Sequence, residues 1–204
     1  VAAHEVKKRT GFKVEYGPVR AADLPRYLAT RTATPDMRRV HFGLLDRTIL
    51  IPVELKGALI PMVIATVALF ATSGTLAAAG ALAAFLAGTV LFPVLLPWLP
   101  SRDFSFKGFV LGAIVAMPFV LAKLLGGAES ALWPRVGWAL VYPLAMMPVT
   151  AYLTLNFTGS SNFTSRTGVR REIFTYIPAM TVMLGGAIAL SIILALGGGK
   201  GGAL

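Results

Sequence analysis

Five runs of apolar residues, at about 57 to 73, 75 to 97, 106 to 125, 132 to 155 and 173 to 196, constrain this chain most. Each is long enough to cross roughly 30 Å of hydrocarbon as a helix. Inside a bilayer no water is available to bond an exposed peptide group, so such runs must close their hydrogen bonds internally as helices. The predicted class is therefore mainly α, an integral membrane protein with a five-helix transmembrane domain over residues 57–197. Composition agrees: 56% of the residues are hydrophobic and 14% charged, against about a quarter charged in soluble domains. The turn at Ser73 and Gly74 is tight, so the first two helices are predicted to pack as an antiparallel hairpin.

Charge sets the expected orientation. Residues 1–56 hold eleven of the 19 Lys and Arg. With five crossings, the amino-terminal segment shares a side with Arg102, Lys107, Arg166, Arg170 and Arg171, sixteen basic residues in all. The other side holds Lys123, Arg135 and Lys200. The positive-inside bias puts the amino-terminal segment in the cytoplasm and the tail 198–204 outside a cytoplasmic (inner) membrane. The net charge of +10 follows from that bias; no basic stripe interleaved with stacking aromatics points to nucleic acid.

The helices carry signs of packing. Gly80, Ala84 and Gly88 repeat every four residues as a small-residue face. Trp98, Trp133 and Trp138 sit near helix ends as interfacial anchors. Nine of the 13 prolines lie in or beside the spans: Pro61, Pro93, Pro97, Pro100, Pro118, Pro134, Pro143, Pro148 and Pro178. They imply kinks and freed carbonyls, which could also line a cavity.

The amino-terminal segment differs in kind. VAAHEVKKRT reads as the end of an amphipathic helix that Gly11 stops. Phe12, Val14 and Tyr16 then alternate with Lys13 and Glu15 as a short strand. Gly17 and Pro18 break it, and Asp23 is placed to cap a helix around Leu24 to Leu28. Helix, strand, loop, helix is one unit of a parallel α/β sheet, and a lone strand needs neighbours. Residues 1–30 are accordingly expected to be the carboxyl-terminal remnant of an α/β domain that begins upstream of Val1. Residues 31–56 form a linker whose apolar second half, Leu44 to Ile51, reads as interfacial, with a second strand as the competing reading.

The residues that usually carry chemistry are sparse. There is no cysteine, so no thiolate or disulfide belongs to this chain. His4 and His41 are not metal-spaced, and no metal site is expected. No hydrolytic triad, Walker loop or Asp-x-His-x-x-Gly corrinoid signature occurs. No acid or histidine sits at mid-membrane depth; Lys123 can snorkel outward and Glu129 falls in an outer loop. No inverted repeat suggests a transporter.

Two segments remain. GPVRA, residues 17–21, follows the predicted strand where open parallel sheets bind ligands, and Arg20 could reach an anionic group. The second, NFTGSSNFTSRTGVRRE at 156–172, is polar and carries three arginines. It reads either as a solvated turn with headgroup-binding arginines or as a surface that docks the soluble part. Its sequons at Asn156 and Asn162 face the cytoplasm by the charge count.

VAAHEVKKRTGFKVEYGPVRAADLPRYL resembles the last βα unit of the corrinoid-binding domain in the large subunit of the corrinoid iron–sulfur protein of acetyl-CoA synthesis. The continuation TPDMRRVHFGLLDRTILIPVEL, the five spans and NFTGSSNFTSRTGV resemble the membrane-anchored corrinoid proteins of mercury methylation, the HgcA family. The resemblance covers essentially the whole chain. It implies the last βα unit of a truncated corrinoid-binding domain, a cobalamin-type corrinoid cofactor and methyl transfer to Hg(II) as substrate. It also implies a cobalt-ligating cysteine upstream of Val1 and a ferredoxin-like iron–sulfur reductase partner of the HgcB type. By position Gly17, Pro18, Val19 and Arg20 would be cofactor-proximal, and no catalytic residue falls in this chain. A sister protein with another methyl acceptor and a small transporter or channel subunit are the alternatives.

Overall fold

The computed structural model describes residues 2–39, 42–126, 132–160 and 166–198. The chain forms two compact units, Val1–Phe42 and Gly43–Leu204. His41, Glu129, Asn162, Lys200 and the tail beyond 198 lie outside the described residues.

In the first unit α1 (Ala3–Thr10) ends as the sequence predicts: Gly11 turns left-handed at φ 75° and donates its N–H to Lys7 O at 2.9 Å. Residues 12–16 do not form the expected strand, and no strand forms anywhere among the described residues. The alternation survives only as an extended segment in which Lys13 and Glu15 pair at 3.4 Å. Phe12 and Tyr16 are 76% and 66% exposed. With no second strand beside it, an extended segment has nothing to complete a ladder with, so the predicted βα unit is corrected to helix, extended segment and helix. A 3₁₀ turn, Ala21–Asp23, runs into α2 (Leu24–Thr30). Asp23 makes no side-chain cap because its own backbone is already helical; Pro25 in the first turn starts the helix instead. A second 3₁₀ turn, Asp36–Arg38, follows. Tyr27 and Met37 are the buried apolar side chains of this unit.

The second unit holds α3 (Leu44–Thr48), α4 (Ile51–Ser73), α5 (Thr75–Leu86), a π-turn (Ala87–Leu91), α6 (Phe92–Leu95), α7 (Phe104–Leu125), α8 (Leu132–Asn156), a 3₁₀ turn (Phe157–Ser160) and α9 (Arg166–Gly198). Five stretches are long and apolar enough to span a membrane: Leu44–Ser73, Thr75–Leu95, Phe104–Leu125, Leu132–Asn156 and Thr167–Gly197. The first span starts before the predicted residue 57, because Glu54 and Lys56 fit a helical turn that emerges from the bilayer. The last starts before 173 for the same reason, with Arg170, Arg171 and Glu172 in its opening turns. Of the predicted loop 156–172, residues 157–160 form a 3₁₀ turn, 166–172 belong to the last helix, and 161–165 lie outside the described residues.

Gly74 alone separates α4 from α5, at φ 83° and ψ −173°, a backbone that L side chains rarely adopt. The two helices pack together as the predicted hairpin. Helix α8 is the hub, packing against α5, α7 and α9. The predicted small-residue face of the second span meets it. A Cβ on Gly80 would lie 3.2 Å from the Tyr142 ring, and one on Gly88 2.6 Å from Leu153 Cβ. Ala84 is buried with Ala116, Tyr142 and Met146, and the Phe119 ring stacks on Tyr142 at 5.6 Å. Threonines fasten α8 to its neighbours, Thr150 Oγ1 donating to Ala84 O at 3.2 Å and Thr154 Oγ1 to Phe104 O at 3.0 Å.

Candidate functional site

The GPVRA loop lies in the first unit. Val19 N–H donates to Met37 O at 2.8 Å, tying the loop to the second 3₁₀ turn. An open cleft of about 790 Å³ runs beside it, lined by Glu15, Tyr16, Gly17, Val19, Tyr27, Arg31 and Arg38. Gly17 and Val19 are thus on the cleft, whereas Arg20 is not. Arg20 lines a second cleft of about 470 Å³ with Asp23, Arg26, Thr34, Asp36, Met37 and Arg39. Pro18, between Gly17 and Val19 in sequence, lines neither cleft. The four predicted site residues are therefore divided rather than gathered.

The cations of the first cleft are Arg31 and Arg38, neither singled out in the sequence. Arg31 ends α2 in a left-handed conformation at φ 52° and lies 3.9 Å from Glu15 Oε2. A Cβ on Gly17 would meet the Tyr27 ring at 3.6 Å, an ordinary contact. The glycine is thus not dictated by space at this position. The cleft offers backbone, two phenols, one carboxylate (Glu15) and two guanidinium groups, whose donors suit anionic or amide substituents. It offers no thiolate or imidazole.

At the basic end of the membrane unit, prolines organise a second polar arrangement. In an α-helix the N–H of residue i+4 serves the carbonyl of residue i. Pro97 has no N–H for Pro93 O, and Pro100 has none for Leu96 O. Trp98 N–H turns to Leu95 O at 3.0 Å and leaves Val94 O unserved. Two buried cations supply the missing donors. Arg47 Nη1 donates to Pro93 O and Val94 O, each at 3.2 Å, while its Nε bonds Gly43 O. Lys107 Nζ donates to Leu96 O at 2.9 Å. Positive charge at a helix carboxyl end also suits the macrodipole. The carbonyls freed at this proline cluster are thus capped rather than lining a cavity. Arg135 Nη2 serves Leu124 O at the far end of α7 in the same manner.

Glu172, only 4% exposed, accepts from Ser105 N–H and Ser105 Oγ, both at 3.0 Å. It satisfies an orphan donor at the start of α7, a role that position in a loop did not suggest. One helical turn on, Tyr176 donates its hydroxyl to Asp103 Oδ2 at 2.9 Å.

In the NFTG motif Asn156 is exposed, whereas Phe157 and Thr158 are buried. Phe157 is fully buried against Phe92 and Phe104, with ring centroids 5.6 and 6.3 Å away. Thr158 Oγ1 donates to Leu155 O at 2.6 Å. Phe157 acts as a plug at the end of α8, so Phe157 and Thr158 belong neither to a solvated turn nor to a docking surface. Trp98 and Trp133 are exposed, as anchors at helix ends should be. Among the described residues no three His, Cys, Asp or Glu side chains gather as a metal-ligand set. No family model matches this chain, and no curated protein or solved structure is significantly similar to it.

Proposed function

We propose that this chain is the membrane-anchoring carboxyl-terminal part of a corrinoid-dependent methyltransferase, which passes a methyl group to Hg(II) and forms methylmercury. The observation that carries the reading is the coupling, in one chain, of GPVRAADLP at 17–25 with five spans and NFTG at 156–159. A corrinoid, when bound, supplies the methyl group on cobalt. The residues of the first cleft fit one wall of such a group: Gly17 and Val19 backbone, Tyr27, Arg31 and Arg38 suit the amide and phosphate substituents around a corrin. They fit no cobalt ligand, so in this reading the ligating cysteine lies outside these 204 residues. A ferredoxin-like reductase would keep the cobalt reduced, and the basic side of the membrane unit would face the cytoplasm.

Close packing of the helices supports anchoring rather than conduction. Gly88 and Gly112 bring second-span and α7 backbone against α8 with no room for a methyl group.

The test is the visible spectrum of the intact protein purified from its membrane. Corrinoid bands are expected, with loss of the methyl group on adding Hg(II); a colourless protein with no cobalt would overturn the reading. Arg38→Ala should weaken corrinoid retention about tenfold, the scale of one charge-assisted hydrogen bond. Arg20→Ala, in the other cleft, should change retention far less.

A further inference from the structure

The basic end of the membrane unit carries a charged surface that the proposed reaction does not use. The hydrogen bonds Tyr176 to Asp103 and Ser105 to Glu172 clamp the start of α9 to the turn before α7. Each clamp carboxylate has an arginine beside it in sequence, Arg102 next to Asp103 and Arg171 next to Glu172. Both arginines are exposed, and neither pairs with a carboxylate within 4 Å among the described residues. Arg170, also exposed, lies over the Phe174 ring at 5.7 Å. The clamp therefore joins the two elements that carry these cations, while the adjacent acids accept from Tyr176 and Ser105.

The same end of the unit is apolar on its flank. Phe106 and Ile173, the residues following the Ser105–Glu172 contact, are exposed, as is Phe174 at 70%. Phe106 and Ile173 belong to the spans Phe104–Leu125 and Thr167–Gly197, so hydrocarbon borders the arginines at this level. A phospholipid presents a phosphate and a hydrocarbon chain together, and both halves of the surface then have a partner.

We propose that Arg102 and Arg171, held together by the Asp103–Tyr176 and Ser105–Glu172 clamps, form a binding site for the phosphate of an anionic phospholipid, whose acyl chain lies along Phe106 and Ile173. Two guanidinium forks suit phosphate oxygens better than ammonium groups would. The site sits on the membrane unit alone and does not depend on the corrinoid reading.

The experiment uses the full chain in nanodiscs of equimolar phosphatidylcholine and phosphatidylglycerol, followed by transfer to detergent and mass spectrometry of the retained lipid. Phosphatidylglycerol should be retained preferentially. An R102Q/R171Q variant should lose that preference by about fivefold per arginine, and R9Q/K13Q in the first unit should not. F106S should weaken retention with the charges intact. R102K/R171K keeps the charge and reports on the site should the glutamine variant melt early. Equal retention by wild type and R102Q/R171Q would overturn the proposal. Displacement by millimolar inorganic phosphate would assign the site to a soluble anion, and an unchanged F106S would point to an acidic protein surface; either result overturns it too.

Discussion

At the scale of single residues, the buried cations Arg47 and Lys107 of the membrane unit are explained by the donors that proline removes. Pro97 and Pro100 strip the partners from Pro93 O and Leu96 O, and Arg47 and Lys107 replace them. An unserved carbonyl in an apolar surrounding costs free energy on the order of a lost charge-assisted hydrogen bond. Arg47→Ala is therefore expected to destabilise the protein by about 2 kcal/mol, read as a lower melting temperature in detergent. Lys107→Met should cost a similar amount, and Arg47→Lys less than Arg47→Ala. Glu172 behaves differently because it is an acceptor for neutral donors. Glu172→Gln keeps an oxygen for Ser105 and should be nearly silent, whereas Glu172→Ala leaves Ser105 N–H unpaired and should cost about 1–3 kcal/mol. None of these roles was read from the sequence, where Arg47 and Lys107 counted only as basic charges on one side and Glu172 only closed a polar motif. The signal was nevertheless present: a proline four residues after a carbonyl announces an orphan, and a nearby basic residue is a candidate to serve it.

At the scale of elements, the helices were legible, whereas an extended segment was read as a strand. Apolar length alone locates a span, since the bilayer allows few alternatives. Its ends were misplaced wherever a charge lay within a helical turn of the interface, as at Glu54, Lys56, Arg170 and Glu172. Alternation at Phe12, Val14 and Tyr16 implied a strand, but a strand is a property of pairs and the described residues supply no partner for it. The GPVRA loop was legible as a loop; the separation of Arg20 from Gly17 depends on the 3₁₀ turn at Asp36–Arg38, which no local motif announces. Packing between α7 and α8 gives a sharp test. A Cβ on Gly108 would collide with Thr154 Oγ1 and come within 2.5 Å of Ala151 Cα. Gly108→Ala should cost about 1–3 kcal/mol through overpacking. A Cβ on Gly185 would meet nothing within 4 Å, so Gly185→Ala in α9 should be neutral or stabilise by up to about 1 kcal/mol. Parallel melting curves of the two variants check the contrast.

At the scale of the whole molecule, charge asymmetry and span number together predict which loops share a side. These 204 residues hold no cysteine, so each cysteine introduced among them can be scored against the unsubstituted protein as background. With a membrane-impermeant maleimide on sealed vesicles, Ser101→Cys and Asp36→Cys should react from one side and Ser73→Cys from the other. Labelling of Ser73→Cys and Ser101→Cys from the same side would contradict five crossings. The one-residue connection at Gly74 has a consequence for biogenesis. A joint that short leaves no slack for the first helix to settle while the second waits in the insertion machinery. Both must partition sideways into lipid as a single cargo, and a flexible stretch spliced in at that joint would uncouple them into two successive events.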